Sequence, residues 1–292
     1  MSVIQPLKEV LVNLLRKKPS LLFSLRYKKY YGKMLNYKNP RSFYEKLGYL
    51  EFFTDTSEMG RLADKIAVRD FVKNKGLGNM LNDVYGVYHN SAEINYDELP
   101  SMFVLKTNHG SATNIIVRDK SKLDIEKTNK QLDDWLKVDY GYITGQPHYS
   151  YIKPMILSEA FLDNEDGKIL TDYKFWCING IPRFCQIMSD RTENGHVFRT
   201  MFFDMNWQAH PEYVRGAQSK INEPKPECFE DMQYAAAKLS EGFPYVRVDF
   251  YNIKGKAIFG EMTFTPGFNN NTVEFFDMLG EELNIEKYLL KK

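Results

Sequence analysis

The clearest pattern of apolar and polar positions lies between residues 246 and 266, where the two kinds of residue alternate on both sides of a Lys-Gly-Lys turn. Alternation with a period of two predicts a β-hairpin, because successive side chains of a strand point to opposite faces. A three-residue turn centred on Gly255 would place Asp249 directly opposite Glu261. The predicted apolar face contains Val246, Val248, Phe250, Ile258, Met262 and Phe264.

The polar face of this hairpin brings two carboxylates together. Side chains directly opposite each other have Cβ atoms about 5 Å apart, so Asp249 and Glu261 would repel each other unless a cation lay between them. Oxygen ligands of this kind suit magnesium. The same register places Arg247 opposite Thr263. The pattern is equally typical of a solvated charged face, so both interpretations stay open at this point.

The periodicity of the remaining chain predicts helices mixed with strands, and therefore an α+β protein. Residues 1–60 are predicted to be mainly helical, with Ser42 and Glu45 forming a capping box at the start of one helix. Further helices are predicted at 61–76, 121–138, 226–240 and from about 273. Strands are predicted at 81–88, 103–106, 115–118, 152–162, 171–178, 181–188 and 201–204.

A loop of small polar residues joins two of these strands, at positions 107–114. Its backbone N–H groups and hydroxyls could close over phosphate groups, and Lys106 stands at the strand end to meet them. The loop lacks the GxxxxGK[ST] pattern of a P-loop and the GxGxxG pattern of a dinucleotide-binding fold. A polar hairpin loop without a function explains the pattern as well.

Composition excludes several classes of protein. The chain has 292 residues and a formal net charge of +1, which argues against a general nucleic-acid-binding protein. Its three cysteines have no spacing suited to zinc and fit a reducing compartment. No apolar run approaches the 18 or so residues of a membrane span, and no signal-peptide pattern is present. We therefore expect a cytoplasmic protein.

The charge is distributed unevenly along the chain. Residues 1–38 contain nine basic residues and the single acidic residue Glu9. Such a segment could lie on the inner face of an anionic membrane. It could also be a helix that packs on the domain and leaves its basic side chains in water. The basic residues are Lys8, Arg16, Lys17, Lys18, Arg26, Lys28, Lys29, Lys33 and Lys38.

Six short motifs in a fixed order resemble those of the ATP-grasp superfamily, and most closely its TupA-like branch in teichuronopeptide and capsular-polysaccharide biosynthesis. The resemblance covers about residues 40–290. It implies an ATP-grasp fold in which two α+β subdomains clasp a nucleotide, preceded by an N-terminal helical segment. The motifs are the helix with Asp64-Lys65, then FVLKTNHGSATN, ILSEAFL, DYKFWCINGIPRF, SDR, and VRVDFY with FGEMTFTPG.

This resemblance also divides the chain into three parts. The first is the basic helical segment of residues 1–60. The second, residues 61–158, would be the small subdomain with the phosphate-covering loop. The third, residues 159–292, would be the large subdomain with the adenine linker and the magnesium hairpin.

The resemblance implies ATP and Mg²⁺ as cofactors and assigns residues to them. Two lysines would hold the phosphates, a mobile loop would cover them, and an acid would precede the backbone that reads the adenine. In that order these residues are Lys65 and Lys106; His109, Gly110, Ser111, Ala112 and Thr113; Glu159; and Ala160, Phe161 and Leu162. The implied magnesium ligands are Asp249, Glu261 and Thr263.

Three basic residues are candidates for the chemical step. Arg247 is implied to stabilise the transferred phosphoryl group or an acyl phosphate. Lys174 and Arg191 could bind a substrate carboxylate, or could instead pair with a nearby acid such as Asp172. Thr263 departs from the asparagine of many ATP-grasp enzymes, which puts its role as a ligand in doubt.

The implied activity is an ATP-dependent carboxylate–amine ligase that acts through an acyl phosphate on a small-molecule or saccharide carboxylate and an amine. A sugar or other hydroxyl kinase, a glycosyltransferase and a non-catalytic nucleotide-binding module are the alternatives. No DxD nucleotide-sugar motif is present, and no Ser-His-Asp or Cys-His arrangement can be placed. His148, in a loop after Pro147, is expected at the surface.

Overall fold

The computed structural model describes residues 16–163, 169–189, 199–215, 223–268 and 271–289. Within these ranges the chain forms two antiparallel sheets with helices packed against them, which confirms the predicted α+β class. The α-helices are α1 (Pro19–Tyr31), α2 (Phe43–Phe53), α3 (Ser57–Ala63), α4 (Val68–Asn74), α5 (Ile125–Leu136), α6 (Tyr140–Thr144), α7 (Phe229–Ser240) and α8 (Val273–Glu282). Short 3-10 helices occur at Gly78–Met80, Ser91–Glu93, Tyr96–Glu98, Lys120–Lys122, Pro147–Tyr151, Pro211–Tyr213 and Glu286–Tyr288.

The strands divide into a four-stranded sheet of order β1-β4-β2-β3 and a five-stranded sheet of order β7-β6-β5-β8-β9. The predicted boundary at residues 158 and 159 falls inside β4, which belongs to the smaller sheet. The strands are β1 (Val84–Tyr88), β2 (Phe103–Thr107), β3 (Asn114–Val117), β4 (Ile156–Ala160), β5 (Asp172–Ile178), β6 (Ile181–Ser189), β7 (Arg199–Asp204), β8 (Tyr245–Ile253) and β9 (Lys256–Thr263).

The larger sheet has an apolar core on each of its faces. On one face, side chains such as Phe175 and Phe250 pack against α7 and against residues 62–80. On the other face, Trp176 packs among side chains of α2 and α8. A third core lies between the smaller sheet and Leu132 of α5. Residues 62–80, expected in the small subdomain, therefore contribute to the core of the larger sheet.

The β8–β9 hairpin has the predicted register but reaches it by a different route. Its turn contains two residues, Lys254 and Gly255, both with positive φ, as a tight hairpin turn that follows the strand twist requires. A β-bulge at Gly260 then shifts the register by one residue, so that Asp249 lies opposite Glu261. On the turn side of the bulge, the residues of β9 therefore point to the opposite face from the one predicted. Phe259 is therefore buried, and the prediction that Ile258 faces the core is wrong.

The predicted helix over residues 61–76 is wrong as a single element, because the chain breaks between α3 and α4. The carboxylate of Asp64 accepts hydrogen bonds from the backbone N–H groups of Ile66 (2.8 Å) and Ala67 (3.3 Å). Aspartate favours such a turn, in which its side chain accepts from the nearby backbone, over a place inside a helix. As a result Lys65 sits in a turn between two helices.

At the start of α2, the capping box predicted at Ser42 is confirmed.

The N-terminal helices fix the segment that follows β9. Helix α1 packs on the domain through buried Phe23 and Tyr27. The hydroxyl of Tyr31 donates to the carbonyl of Phe268, and that of Tyr44 donates to the carbonyl of Gly267, each at 2.8 Å. Within the described residues, none of the helices combines the length and the apolar character that crossing a bilayer requires.

The contact of α2 with α8 yields a prediction about stability. A Cβ atom at Gly280 would lie 2.6 Å from the backbone nitrogen of Phe43. Alanine normally stabilises a helix relative to glycine, but overpacking lowers stability by about 1–3 kcal/mol. We expect Gly280→Ala to lower the free energy of unfolding by about 2 kcal/mol in urea titrations.

Gly78→Ala is the control, because its Cβ would meet no atom closer than 3.5 Å. If Gly280→Ala is as stable as Gly78→Ala, the helices α2 and α8 do not pack as closely as the structure places them.

Candidate active site

The buried carboxylate of Asp249 lies at the centre of the candidate site, on β8. The Arg247 guanidinium donates to both of its oxygens, from Nε to Oδ1 and from an NH2 group to Oδ2, each at 2.7 Å. From β5, the Lys174 ammonium donates to Asp249 Oδ2 at 2.6 Å and to Asp172 at 3.2 Å. Since β5 pairs with β8 and places Lys174 beside Asp249, the sheet register builds this cluster.

The electrostatics of the cluster follow from its burial. Burial alone would raise the pKa of Asp249, but Arg247 and Lys174 outweigh it and hold that pKa below its usual value. Burial alone would lower the pKa of Arg247, and the Asp249 carboxylate more than compensates and raises it. Asp249 and Arg247 are therefore charged together. Lys174 adopts the ion-paired alternative of the sequence analysis, and its ammonium does not face open solvent.

Glu261 and Thr263 on β9 form the accessible edge of the cluster. Glu261 has a side chain 42% exposed, and its carboxylate lies 3.5 Å from Arg247. The Thr263 hydroxyl accepts a hydrogen bond from Arg247 at 3.0 Å and donates to Glu261 at 3.4 Å. Arg247 thus connects Asp249, Glu261 and Thr263, which all lie on one face of the hairpin.

These oxygens fit a magnesium ion by their chemistry. Among the described residues, no group of three His, Cys, Asp or Glu side chains lies close enough to hold a metal alone. Magnesium typically binds to one or two carboxylates and takes its remaining ligands from phosphates and water. Glu261 is the more available carboxylate, because both oxygens of Asp249 already accept hydrogen bonds.

The break between α3 and α4 delivers Lys65 to the loop that follows β2. The Lys65 ammonium donates to the carbonyl of Gly110, and its backbone N–H donates to the carbonyl of Asn108. Burial lowers the pKa of Lys65, Glu261 acts to raise it, and Lys106 lowers it further. Glu261 and Lys106 therefore both lie close enough to Lys65 to affect its pKa.

The first half of the loop is pinned by hydrogen bonds of its side chains, and the base of the loop is closed by a hydrogen bond between the hydroxyls of Thr107 and Thr113 (2.7 Å). The buried side chain of Asn108 donates to Asp64 (2.9 Å) and accepts from the backbone N–H of Met155 (2.8 Å). Nε2 of His109 donates to the carbonyl of Val138 at 3.0 Å, while burial lowers the pKa of the ring. His109 therefore points into the protein. In the second half, Ser111 and Ala112 are exposed, and Ala112 has a φ of 60°.

The residues assigned to the far end of the nucleotide lie in the smaller sheet. Lys106 on β2 forms an ion pair with Glu159 on β4. The Ala160 backbone is already used, because its N–H donates to Asp83 and its carbonyl accepts from Asn82. In the predicted adenine linker, the backbone groups of Ala160 are therefore already hydrogen-bonded. Those of residues 161–162 do not take part in these two bonds.

A cavity of about 540 Å³ opens beside the cluster, between the loop, the β8–β9 hairpin and α1. It does not include Lys106, Glu159 or residues 160–162 among its walls. It is lined by Phe23, Arg26, Lys29, Tyr30, Gly110, Ser111, Tyr140, Thr144, Gln146, Tyr149, Arg247, Glu261, Thr263, Thr265, Pro266, Gly267 and Phe268.

The structure thus brings most of the predicted site residues together, around Asp249 and the loop after β2. Arg191 lies outside the described residues. The sequence analysis missed the positioning roles of Asp64 and Asn108. An aspartate in the middle of a helical pattern was the available signal, because it is a poor helix-interior residue and a good cap.

The expectation for His148 is wrong. The side chain is fully buried, and its Nδ1 lies 2.8 Å from a carboxylate oxygen of Glu51 on α2, which is itself buried. The same carboxylate accepts the His148 backbone N–H at 3.1 Å. A loop position after proline gave no signal of this pairing. The neighbouring Tyr149 lines the cavity, so the pair fixes part of the cavity wall.

Comparisons with known proteins agree with this architecture. A D-alanine–D-alanine ligase from Bacillus anthracis, solved in complex with ATP, has a TM-score of 0.50 at 14% identity, over 79% of this chain and 65% of that chain. An L-amino acid ligase from Bacillus licheniformis has a TM-score of 0.43 at 15% identity, over 71% of this chain and 43% of that chain. The chain thus spans less than two thirds of the length of either ligase.

At 14% identity the likeness to the Bacillus anthracis ligase shows a shared fold alone. No curated protein sequence matches the chain at a significant level. The model of the TupA-like ATP-grasp family matches residues 45–284, which is most of the sequence and includes every described residue of the Asp249 cluster. The chain therefore belongs to the TupA-like ATP-grasp family.

Proposed function

We propose that the protein is an ATP-dependent carboxylate–amine ligase that forms an acyl phosphate, with a role in surface-polysaccharide biosynthesis or modification. The observation that carries this proposal is the Arg247–Asp249–Lys174 cluster, with Glu261 and Thr263 at the edge of a 540 Å³ cavity. The ATP complex of the Bacillus anthracis ligase, which shares the fold, supports the choice of nucleotide. A reaction of this kind needs positioning and charge neutralisation more than it needs a protein nucleophile.

In the proposed reaction, a carboxylate oxygen of the acceptor attacks the terminal phosphorus of ATP, and ADP leaves. The nitrogen of an amine then attacks the acyl carbon, phosphate leaves, and an amide bond forms. Arg247 is held rigidly by two hydrogen bonds to Asp249, and it reaches the cavity wall beside Glu261. A fixed guanidinium at this place would stabilise the charge of the acyl phosphate without reorganising.

The nucleotide phosphates would lie between Lys65, Lys106 and the backbone N–H groups of the loop after β2. Lys174 helps to position Asp249, because it donates to the same carboxylate oxygen as Arg247. Mg²⁺, held by Glu261, Asp249 and the Thr263 hydroxyl, would supply neutralisation of the phosphate charge. These assignments rest on the family and on the clustering described above.

The role of Lys106 can be tested by nucleotide binding. Lys106 forms an ion pair with Glu159, and a phosphate would lose this cation in Lys106→Ala. We expect the Kd for AMP-PNP with Mg²⁺ to rise at least tenfold, equivalent to about 1.4 kcal/mol, in isothermal titration calorimetry.

Lys75→Ala is the control, since it also removes an ion pair, with Glu241 (2.8 Å), but lies outside the site. The control should bind AMP-PNP as tightly as the unmodified protein. Unchanged binding by Lys106→Ala would show that this lysine does not contact the nucleotide.

The proposed reaction and the metal role are tested together by product release. ADP and phosphate should appear only when a carboxylate and an amine are both present in a screen of acids and amines. With a working pair, Glu261→Gln should lower kcat by about a hundredfold, roughly 3 kcal/mol of barrier, because magnesium loses a charged ligand. Thr263→Ala should have a much smaller effect, since water can replace a neutral hydroxyl.

Other outcomes identify the alternatives. ADP without free phosphate would indicate a kinase, and turnover that ignores ATP would indicate a transferase. ATP binding without turnover would indicate a non-catalytic module. If Thr263→Ala is as damaging as Glu261→Gln, the proposed order of the two ligands is incorrect.

We also propose that α1 and its flanking residues bring the protein to an anionic membrane. The outward side of this segment carries the half-exposed apolar residues Leu21, Leu25 and Met34. The basic residues Lys28 and Lys33 are exposed nearby. Apolar and basic side chains on one surface are typical of peripheral membrane contact.

Neutralising two of these charges tests the membrane proposal. A lysine near an anionic surface contributes about 1 kcal/mol to binding, so Lys28→Gln with Lys33→Gln should weaken liposome binding about thirtyfold in sedimentation assays. Vesicles should contain about a third acidic lipid, with neutral vesicles measured in parallel.

The matched control is Lys127→Gln with Lys130→Gln, which removes two exposed charges from α5. Equal loss of binding in both double variants, or no dependence on acidic lipid, would contradict a specific membrane surface on α1.

A further inference from the structure

The cavity beside the Asp249 cluster has one wall that the family match does not include. The matched region begins at residue 45, whereas α1 (Pro19–Tyr31) contributes Phe23, Arg26, Lys29 and Tyr30 to the cavity. Their spacing of three and four residues places these side chains on one face of the helix. The opposite face carries Lys28 and the exposed leucines. Helix α1 therefore adds to the site side chains that lie outside the matched region.

The position of the cavity identifies what it can hold. Its walls include Arg247, Glu261 and the loop residues Gly110 and Ser111, but not Lys106, Glu159 or residues 160–162. Of the smaller sheet, the cavity therefore reaches the loop after β2 and not the strands. If the nucleotide lies along the smaller sheet, as proposed above, this cavity is the space left for the acceptor of the phosphoryl group.

The charges on the cavity wall do not balance. Arg247 is neutralised by Asp249, and Glu261 is the carboxylate that lines the cavity. Arg26 donates to the backbone carbonyls of Thr144 (2.5 Å) and Ile143 (3.4 Å), which are neutral acceptors. Within the described ranges, Lys29 has no carboxylate partner, and its ammonium lies 5.8 Å from the centre of the Tyr30 ring. Two cations of α1 thus face the cavity without a paired acid.

The other walls suit a hydroxylated molecule. Tyr140 and Tyr149 present aromatic rings, which combine an apolar face with a polar hydroxyl. Thr144, Gln146 and Thr265 add hydroxyl and amide groups. A cavity with a few convergent polar groups and aromatic walls is typical of a small-molecule site. The volume of about 540 Å³ exceeds what a simple amino acid would fill.

We infer that α1 forms a specificity wall of the acceptor site, and that this site takes a hydroxylated acid with a second negative charge remote from the reacting carboxylate. In this arrangement Arg247 faces the carboxylate that is phosphorylated, and Lys29 with Arg26 binds the second charge. That charge is a carboxylate or a phosphate, since a lysine ammonium pairs with either. The inference rests on the proposed ligase function and adds the class of acceptor to it.

Three probes with the same six-carbon chain separate these possibilities. Gluconate has one carboxylate, glucarate has two, and 6-phosphogluconate has a carboxylate and a phosphate. Each is titrated by calorimetry into the protein saturated with AMP-PNP and Mg²⁺. We expect at least one of the two probes with a second charge to bind about tenfold more tightly than gluconate, and the better of them identifies the second group.

Two neighbouring lysines provide the variant and its control. Lys29→Gln should remove the preference for a second charge and leave AMP-PNP binding unchanged. Lys28→Gln, one residue away on the outward face, should keep the preference. Equal affinities for the three probes overturn the inference, as does a failure of all three to bind to protein that holds AMP-PNP. An equal effect of the two variants overturns it as well.

Failure of the inference can be told apart from failure of the proposed function. Unmodified protein that does not bind AMP-PNP would contradict the proposed ligase. Protein that binds AMP-PNP but shows no charge preference would leave the ligase proposal standing and remove the specificity wall alone.

Discussion

The site depends on one interaction, the placing of a single buried carboxylate between two cations from neighbouring strands. A charge taken out of water is strongly destabilising unless it is paired and hydrogen-bonded. Asp249 meets this condition through Arg247 on its own strand and Lys174 on the next. The carboxylate in turn fixes the positions of Arg247 and Lys174, because each cation must remain within hydrogen-bond distance of it. The preorganised arginine at the cavity is therefore a consequence of burying Asp249.

The same constraint explains which parts could be predicted from the sequence. Alternation in β8 and β9 predicted the face shared by Asp249 and Glu261, because strand periodicity is local information. The partner of Lys174 could not be chosen in this way. The choice between Asp172, Asp249 and a substrate depends on the pairing of β5 with β8, which is a contact distant in sequence. The burial of Glu51 with His148 was missed for the same reason.

Predictions failed where a side chain competed with the backbone pattern. The periodicity of residues 61–76 favours one helix, yet the Asp64 side chain bonds the backbone of a turn between two helices, and Lys65 in that turn reaches the loop after β2. Aspartate side chains compete in this way with the hydrogen bonds of a continuous helix. The fixed parts of that loop share this origin, since Asn108 binds the same carboxylate. A local side-chain turn thus determines the position of a residue assigned to the nucleotide.

The bulge at Gly260 has a consequence for how this hairpin can vary among related chains. A two-residue turn followed by one extra residue gives the same pairing of Asp249 with Glu261 as a three-residue turn without it. The pairing of the two carboxylates depends on the number of residues between them. Neither the turn type nor the position of the extra residue changes that number. Insertions or deletions of one residue would exchange the two faces beyond the change. Related sequences should therefore differ freely in turn shape while keeping that spacing, or change it by pairs.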